Sequence, residues 1–100
     1  MQVYNISFQV IEAFELPWKE WIKQTFIPMI HATSCFEEIK WYQITVNSDQ
    51  EPTYTIQLFT PHLEQLQAYL ALHANKHLEE VQLHWGEKCH YFCTQMQIVN

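Results

Sequence analysis

Six periodic segments follow one another in the order strand, helix, strand, strand, helix, strand, and together they use nearly all of the 100 residues. Tyr4, Ile6, Phe8 and Val10 alternate with Asn5, Ser7 and Gln9, the period-two pattern of a half-buried strand over Val3 to Ile11. Pro17 suits the first turn of a helix, where its missing N–H costs nothing. Trp18, Trp21, Ile22, Thr25, Phe26 and Met29 then recur at helical spacing, with Lys19, Glu20, Lys23 and Gln24 facing away. Pro28 interrupts this pattern and predicts a kink near Gln24 and Thr25. Strands are expected over Phe36 to Val46 and Thr53 to Phe59, joined by the polar turn Asn47-Ser48-Asp49-Gln50-Glu51-Pro52. Thr60 as N-cap and Pro61 at the first helical position open a second helix that Gly86, the only glycine, ends after Trp85. Its core stripe reads Leu63, Leu66, Leu70, Ala74, Leu78, Val81 and Trp85, with Tyr69, Leu72 and Leu83 on a side away from the core. A last strand runs from Lys88 to Val99, with Phe92, Met96 and Ile98 expected on its inner side.

One antiparallel sheet with both helices on one face satisfies this order. That is a split βαβ, an α+β ferredoxin-like βαββαβ sandwich, here a single domain over residues 1–100. The other face is then open. Its expected residues are Asn5, Ser7, Gln9, Trp41, Gln43, Thr45, Thr55, Gln57, Phe59, Cys89, Tyr91, Cys93, Gln95 and Gln97, hardly a charge among them. A face meant for water carries Lys and Glu, so this one is expected to be covered by a second copy of the same sheet.

Composition narrows the function classes. A chain 48% hydrophobic is too apolar for disorder. A net charge of −6, five lysines and no arginine exclude the basic patch by which nucleic acids and anionic membranes are bound. No apolar run approaches the roughly 20 residues of a membrane span. The start alternates like a strand and does not read as a secretory signal. With three cysteines in no pairing pattern, a reducing cytoplasm and free thiols are expected.

The run Trp18-Lys19-Glu20-Trp21-Ile22-Lys23, then Ile27-Pro28, Thr33 and Phe36, resembles the signature of a small uncharacterised bacterial family, a domain of unknown function (DUF4286-like). Tyr54-Thr55-Ile56-Gln57-Leu58-Phe59, Tyr69-Leu70 and His73-Ala74 extend the likeness over essentially the whole chain. The resemblance implies a dimeric α+β barrel, in which two sheets pack face to face, a fold shared with cofactor-free monooxygenases. Phe26 stands where such sequences often carry histidine, and Cys93 where an arginine is common. The family has no established catalytic residues to carry over.

Histidines are the richest chemistry. His73, His77, Glu80 and His84 share one stripe of the second helix. We read it as a polar border with His77 hydrogen-bonded at the core edge, and not as a metal site; the metal alternative would use His73, His77 and His84. Cys89 and Cys93 on one strand lie about 13 Å apart at roughly 3.3 Å per residue, with His90 pointing oppositely, so local zinc chelation with His84 fails. Cys35, Cys89 and Cys93 have no sequence neighbour that would activate a thiolate, and read as small buried apolar groups. Trp41, Phe59 and Tyr91 suggest an RNA-stacking sheet only superficially, since the recognition motif and the basic charge are missing. A single glycine allows no phosphate-cradling loop.

The expectation is therefore a cytoplasmic homodimer joined through the open face, a ligand-binding or interaction module without nucleic acid, membrane or cofactor. Asn5, Ser7, Trp41, Gln57, Tyr91 and Gln95 would line its cavity. The alternative is a cofactor-independent oxygenase acting on an aromatic substrate, with Asn5 or Tyr91 stabilising an oxyanion and Trp41 stacking on the substrate.

Overall fold

In the computed structural model, which describes residues 1–45, 47 and 49–99, a four-stranded sheet of order β2-β3-β1-β4 carries two helices on one face. Its strands are β1 (Gln2–Val10), β2 (Glu38–Ile44), β3 (Thr53–Thr60) and β4 (Cys89–Gln97), and every neighbouring pair is antiparallel. Helix α1 covers residues 15–31 and helix α2 residues 63–85. This is the ferredoxin-like βαββαβ arrangement.

Each helix contains one widened turn. In α1 the regular segments Glu15–Trp21 and Ile27–His31 flank a π stretch, Ile22–Phe26. Pro28 has no N–H to give the preceding turn, and the turn before it widens so that the Ile27 N–H reaches the Ile22 carbonyl. The interruption expected from Pro28 thus takes the form of a π turn. In α2 the π stretch is Leu70–Ala74, between Leu63–Tyr69 and Asn75–Trp85. A wider turn lets Tyr69 and Ala74, five residues apart, both face the sheet, so Tyr69 is buried and not on the outer side that a strict 3.6 period assigns it. Leu72 and Leu83 are exposed, and so is Leu63, at the start of the helix. That start falls at Leu63, not Pro61: Thr60 remains the last residue of β3, and its Oγ1 accepts from the His62 N–H at 3.2 Å. Gly86 ends α2 with φ +50 and ψ −124, a conformation that glycine adopts without a Cβ clash.

The core lies between sheet and helices. Tyr4, Ile6, Phe8 and Val10 of β1 and Tyr54, Ile56 and Leu58 of β3 meet Trp18, Ile22, Phe26 and Ile30 of α1 and Leu66, Tyr69 and Val81 of α2. Trp18 has no exposed surface and sits between the rings of Phe8, at 5.3 Å, and Tyr54, at 5.0 Å. The Tyr54 hydroxyl donates to the Glu15 carboxylate, fixing the start of α1 over β3. Backbone bonds from Val10 N–H to Pro52 and from Ile11 N–H to Lys88, each 2.9 Å, tie the strand ends together. Val46, the expected end of the second strand, and Ser48 of the expected turn lie outside the described residues; within that turn the Gln50 N–H donates to the Asn47 carbonyl at 3.0 Å.

Candidate functional site

Strand register assigns each residue to a face, and it corrects two strands. Ile39, Trp41 and Gln43 pair with Leu58, Ile56 and Tyr54, so they share the helix-covered side. Trp41 packs on Trp18 and Tyr54 at ring distances of 6.3 and 6.1 Å. Likewise Cys89, Tyr91, Cys93, Gln95 and Gln97 pair with Val10, Phe8, Ile6, Tyr4 and Gln2 and turn toward the helices. Phe92 and Met96, expected inside, are outside. The charged Glu38 and Lys40 flanking Ile39 were the sequence signal for β2, because a strand buries its apolar alternates and exposes its charges. In β4 both alternate sets contain apolar residues, so period alone leaves the phase open.

The open face therefore consists of four transverse rows, each read from β2 to β4. They are Glu38, Phe59, Val3 and Met96; Lys40, Gln57, Asn5 and Thr94; Tyr42, Thr55, Ser7 and Phe92; and Ile44, Thr53, Gln9 and His90. Apolar groups lie on the edge strands and in the first row, and uncharged polar groups occupy the centre. Phe92 is 65% exposed, Tyr42 41% and Met96 37%. At the centre Asn5 Nδ2 donates to Ser7 Oγ at 3.0 Å, Ser7 to Thr55 Oγ1 at 3.4 Å, and Thr55 back to Asn5 Oδ1 at 2.6 Å. This closed ring satisfies Ser7 and Thr55, both largely shielded by their neighbours, without water. Lys40 pairs with Glu38 at 3.6 Å and holds its ammonium 5.5 Å above the Phe59 ring. A dish of about 220 Å³, open to solvent, is formed by Gln9, Thr53, His90 and Phe92 with Phe8 and Tyr91.

Of the six residues expected to line one cavity, the structure brings Asn5, Ser7 and Gln57 together on the open face. Trp41, Tyr91 and Gln95 are on the opposite side of the sheet. Tyr91 instead borders a groove of about 300 Å³ with Asn75, Leu78, Glu79 and Gln82 of α2. An oxygenase site built from Asn5, Trp41 and Tyr91 consequently has no single chamber to occupy. Residues missed by periodicity are Tyr42, Thr94 and Phe92.

Of the histidine stripe on α2, His77 and His84 lie against α1, through Phe26 and Trp21 respectively. His77 is buried, and its Nδ1 lies 2.8 Å from the Tyr69 hydroxyl. Desolvation depresses the His77 pKa, aided by nearby His73 and Lys76, so the neutral ring accepts the Tyr69 O–H. His73 stacks on His77 at 6.0 Å, whereas His84 lies against Trp21 at 5.1 Å with its Nδ1 on the Glu80 carbonyl. These positions do not converge, and among the described residues no three His, Cys, Asp or Glu side chains are grouped to hold a metal. Burial pushes the Cys89 thiol up to about 11 and raises Cys93 too, opposed by the Trp18 indole and the Tyr4 hydroxyl respectively, so neither is an activated nucleophile.

The His77 environment has a pH consequence. The unfolded chain binds a proton near pH 6.5 while the folded ring resists it, so stability is full above that pH and falls as pH drops below it. Urea midpoints measured from pH 7.5 to 5 are expected to decline more steeply for the native chain than for His77→Gln. Equal slopes would contradict this.

The similarities to known proteins agree with this architecture. No curated protein matches the chain in sequence. Among solved structures, a dimeric ferredoxin-like protein from an uncultured marine organism superposes with TM-score 0.74 at 7% identity, covering 99% of this chain and 94% of that one. An EthD family protein from Bacillus halodurans gives 0.68 at 14%, covering 97% and 100%. A candidate antibiotic biosynthesis monooxygenase from Deinococcus radiodurans gives 0.62 at 11%, covering 100% and 94%. At these identities the likeness shows the fold alone. No helix among the described residues is long and apolar enough to cross a membrane. The family model for the domain of unknown function DUF4286 matches residues 1–99, and the chain belongs to that family.

Proposed function

We propose that the chain acts as a homodimer, two copies joined through their open sheet faces, and that the space between them holds a small molecule over Asn5, Ser7 and Gln57. One observation carries this reading: Tyr42, Ile44, Phe92 and Met96 stand exposed on the two edge strands, around a centre that is uncharged and hydrogen-bonded to itself. Apolar margins favour contact with a second protein surface, and a twofold axis supplies a matching one from the same chain. The dimeric description of one structural neighbour supports the same assembly. The free thiols of Cys35, Cys89 and Cys93 suit a reducing compartment such as the cytoplasm.

Light scattering on a dilution series tests the assembly. A mass twice the 12.1 kDa of one chain is expected at micromolar concentration. A monomer throughout would overturn the proposal.

A further inference from the structure

We infer that the occupant of this chamber is a small, uncharged, planar molecule presenting an amide edge, gripped by Asn5 and Gln57. The inference rests on the homodimer proposed above, which supplies the roof.

The face selects by charge first. Its cation, Lys40, is already engaged by Glu38 at 3.6 Å, so the pair adds no net charge to the wall. A charged guest would lose its hydration with no opposite charge to replace it. An uncharged guest avoids this.

Hydrogen-bonding groups then select by pattern. The ring uses one N–H of Asn5 and the hydroxyl protons of Ser7 and Thr55, which leaves the second Asn5 N–H free. Gln57 is the cross-strand partner of Asn5 on β3, and Thr94 its partner on β4. Among the described residues the Gln57 amide engages no side chain, so its donor and its acceptor both remain available next to the free Asn5 N–H. A donor and an acceptor side by side match the complementary edge of another amide, as in a carboxamide or lactam. Because the Asn5 amide is locked by Ser7 and Thr55, less ordering is needed when the guest binds.

Aromatic walls select by shape. Phe59 lies one row away, and Tyr42 and Phe92 stand at the two ends of the row that holds Ser7 and Thr55. A flat guest can lie over the polar floor with its faces and rim against these rings.

Benzamide, benzoate and toluene share one ring and differ only in its substituent. Titration calorimetry on the native chain, with mass followed by light scattering, is expected to show benzamide bound at least about tenfold tighter than either control, the worth of one well-made hydrogen-bond pair. Gln57→Leu should lower benzamide affinity about tenfold and leave toluene unchanged, with the melting curve and the dimer retained. Equal binding of benzoate, no benzamide binding by a dimeric protein, or an unaffected Gln57→Leu variant would each overturn the inference while the dimer stands. A monomeric protein would remove the chamber and overturn the dimer itself.

Discussion

Trp18→Ala is expected to remove a large part of the chain's folding stability. Trp18 has no exposed surface, and its indole is the piece common to β1, β2, β3 and α1 through Phe8, Trp41 and Tyr54. Removing it opens a cavity that three other aromatic rings cannot refill without leaving their rotamers. Truncation of a buried tryptophan costs about 3–5 kcal/mol, against a total stability of roughly 5–15 kcal/mol for a domain of this size. A melting temperature lower by more than about 10 °C follows from the small entropy of unfolding of a short chain. Thermal melts followed by circular dichroism measure it directly. A loss of only a few degrees would mean that Trp18 contributes far less to the core than its burial implies. Trp18→Phe, which keeps a ring in contact with Phe8 and Tyr54, should recover much of the loss.

Phe92→Glu is expected to abolish self-association and leave the fold intact. In a single chain Phe92 is 65% exposed, so the substitution buries nothing new in the monomer and should change its stability by no more than about 0.5 kcal/mol. At a twofold interface every substitution occurs twice, and each copy would place an unpaired carboxylate against an apolar surface. With tenfold in affinity for each 1.4 kcal/mol, dimer dissociation should rise at least about a hundredfold. Light scattering should then return the single-chain mass while the circular dichroism spectrum remains that of the native protein. A variant that keeps the native mass would exclude the β4 side of the open face from the contact.

The contrast between these residues shows what periodicity can and cannot reveal. Element order, the inward set of β1 and the inward set of β3 were legible because apolar and polar residues alternate cleanly there. In β2 the signal was present but rests on Glu38 and Lys40 more than on Trp41: an aromatic residue suits either face, whereas a lysine and a glutamate suit water. In β4 the alternate sets Cys89, Tyr91, Cys93 and His90, Phe92, Thr94, Met96 both mix apolar with polar groups. Only pairing with β1 fixes their direction. The candidate site divided accordingly, with Asn5, Ser7 and Gln57 on cleanly alternating strands and Trp41, Tyr91 and Gln95 on the other two. Tyr69 was misplaced for a different reason. A period of 3.6 projects it outward, and the widened turn that carries it inward has no simple sequence mark in α2, where no proline stands near Leu70–Ala74.

Those widened turns bear on how the chain tolerates changes in its own length. A residue added to a regular helix rotates everything beyond it by about 100°, which would point the downstream half of the core at solvent. Where the extra residue is taken up by one loose coil, the segments on either side keep their aim, and Asn75–Trp85 still delivers His77 and Val81 to the interior. Both helices therefore already contain a joint at which a single codon gained or lost can be absorbed locally, without asking the four strands to re-register.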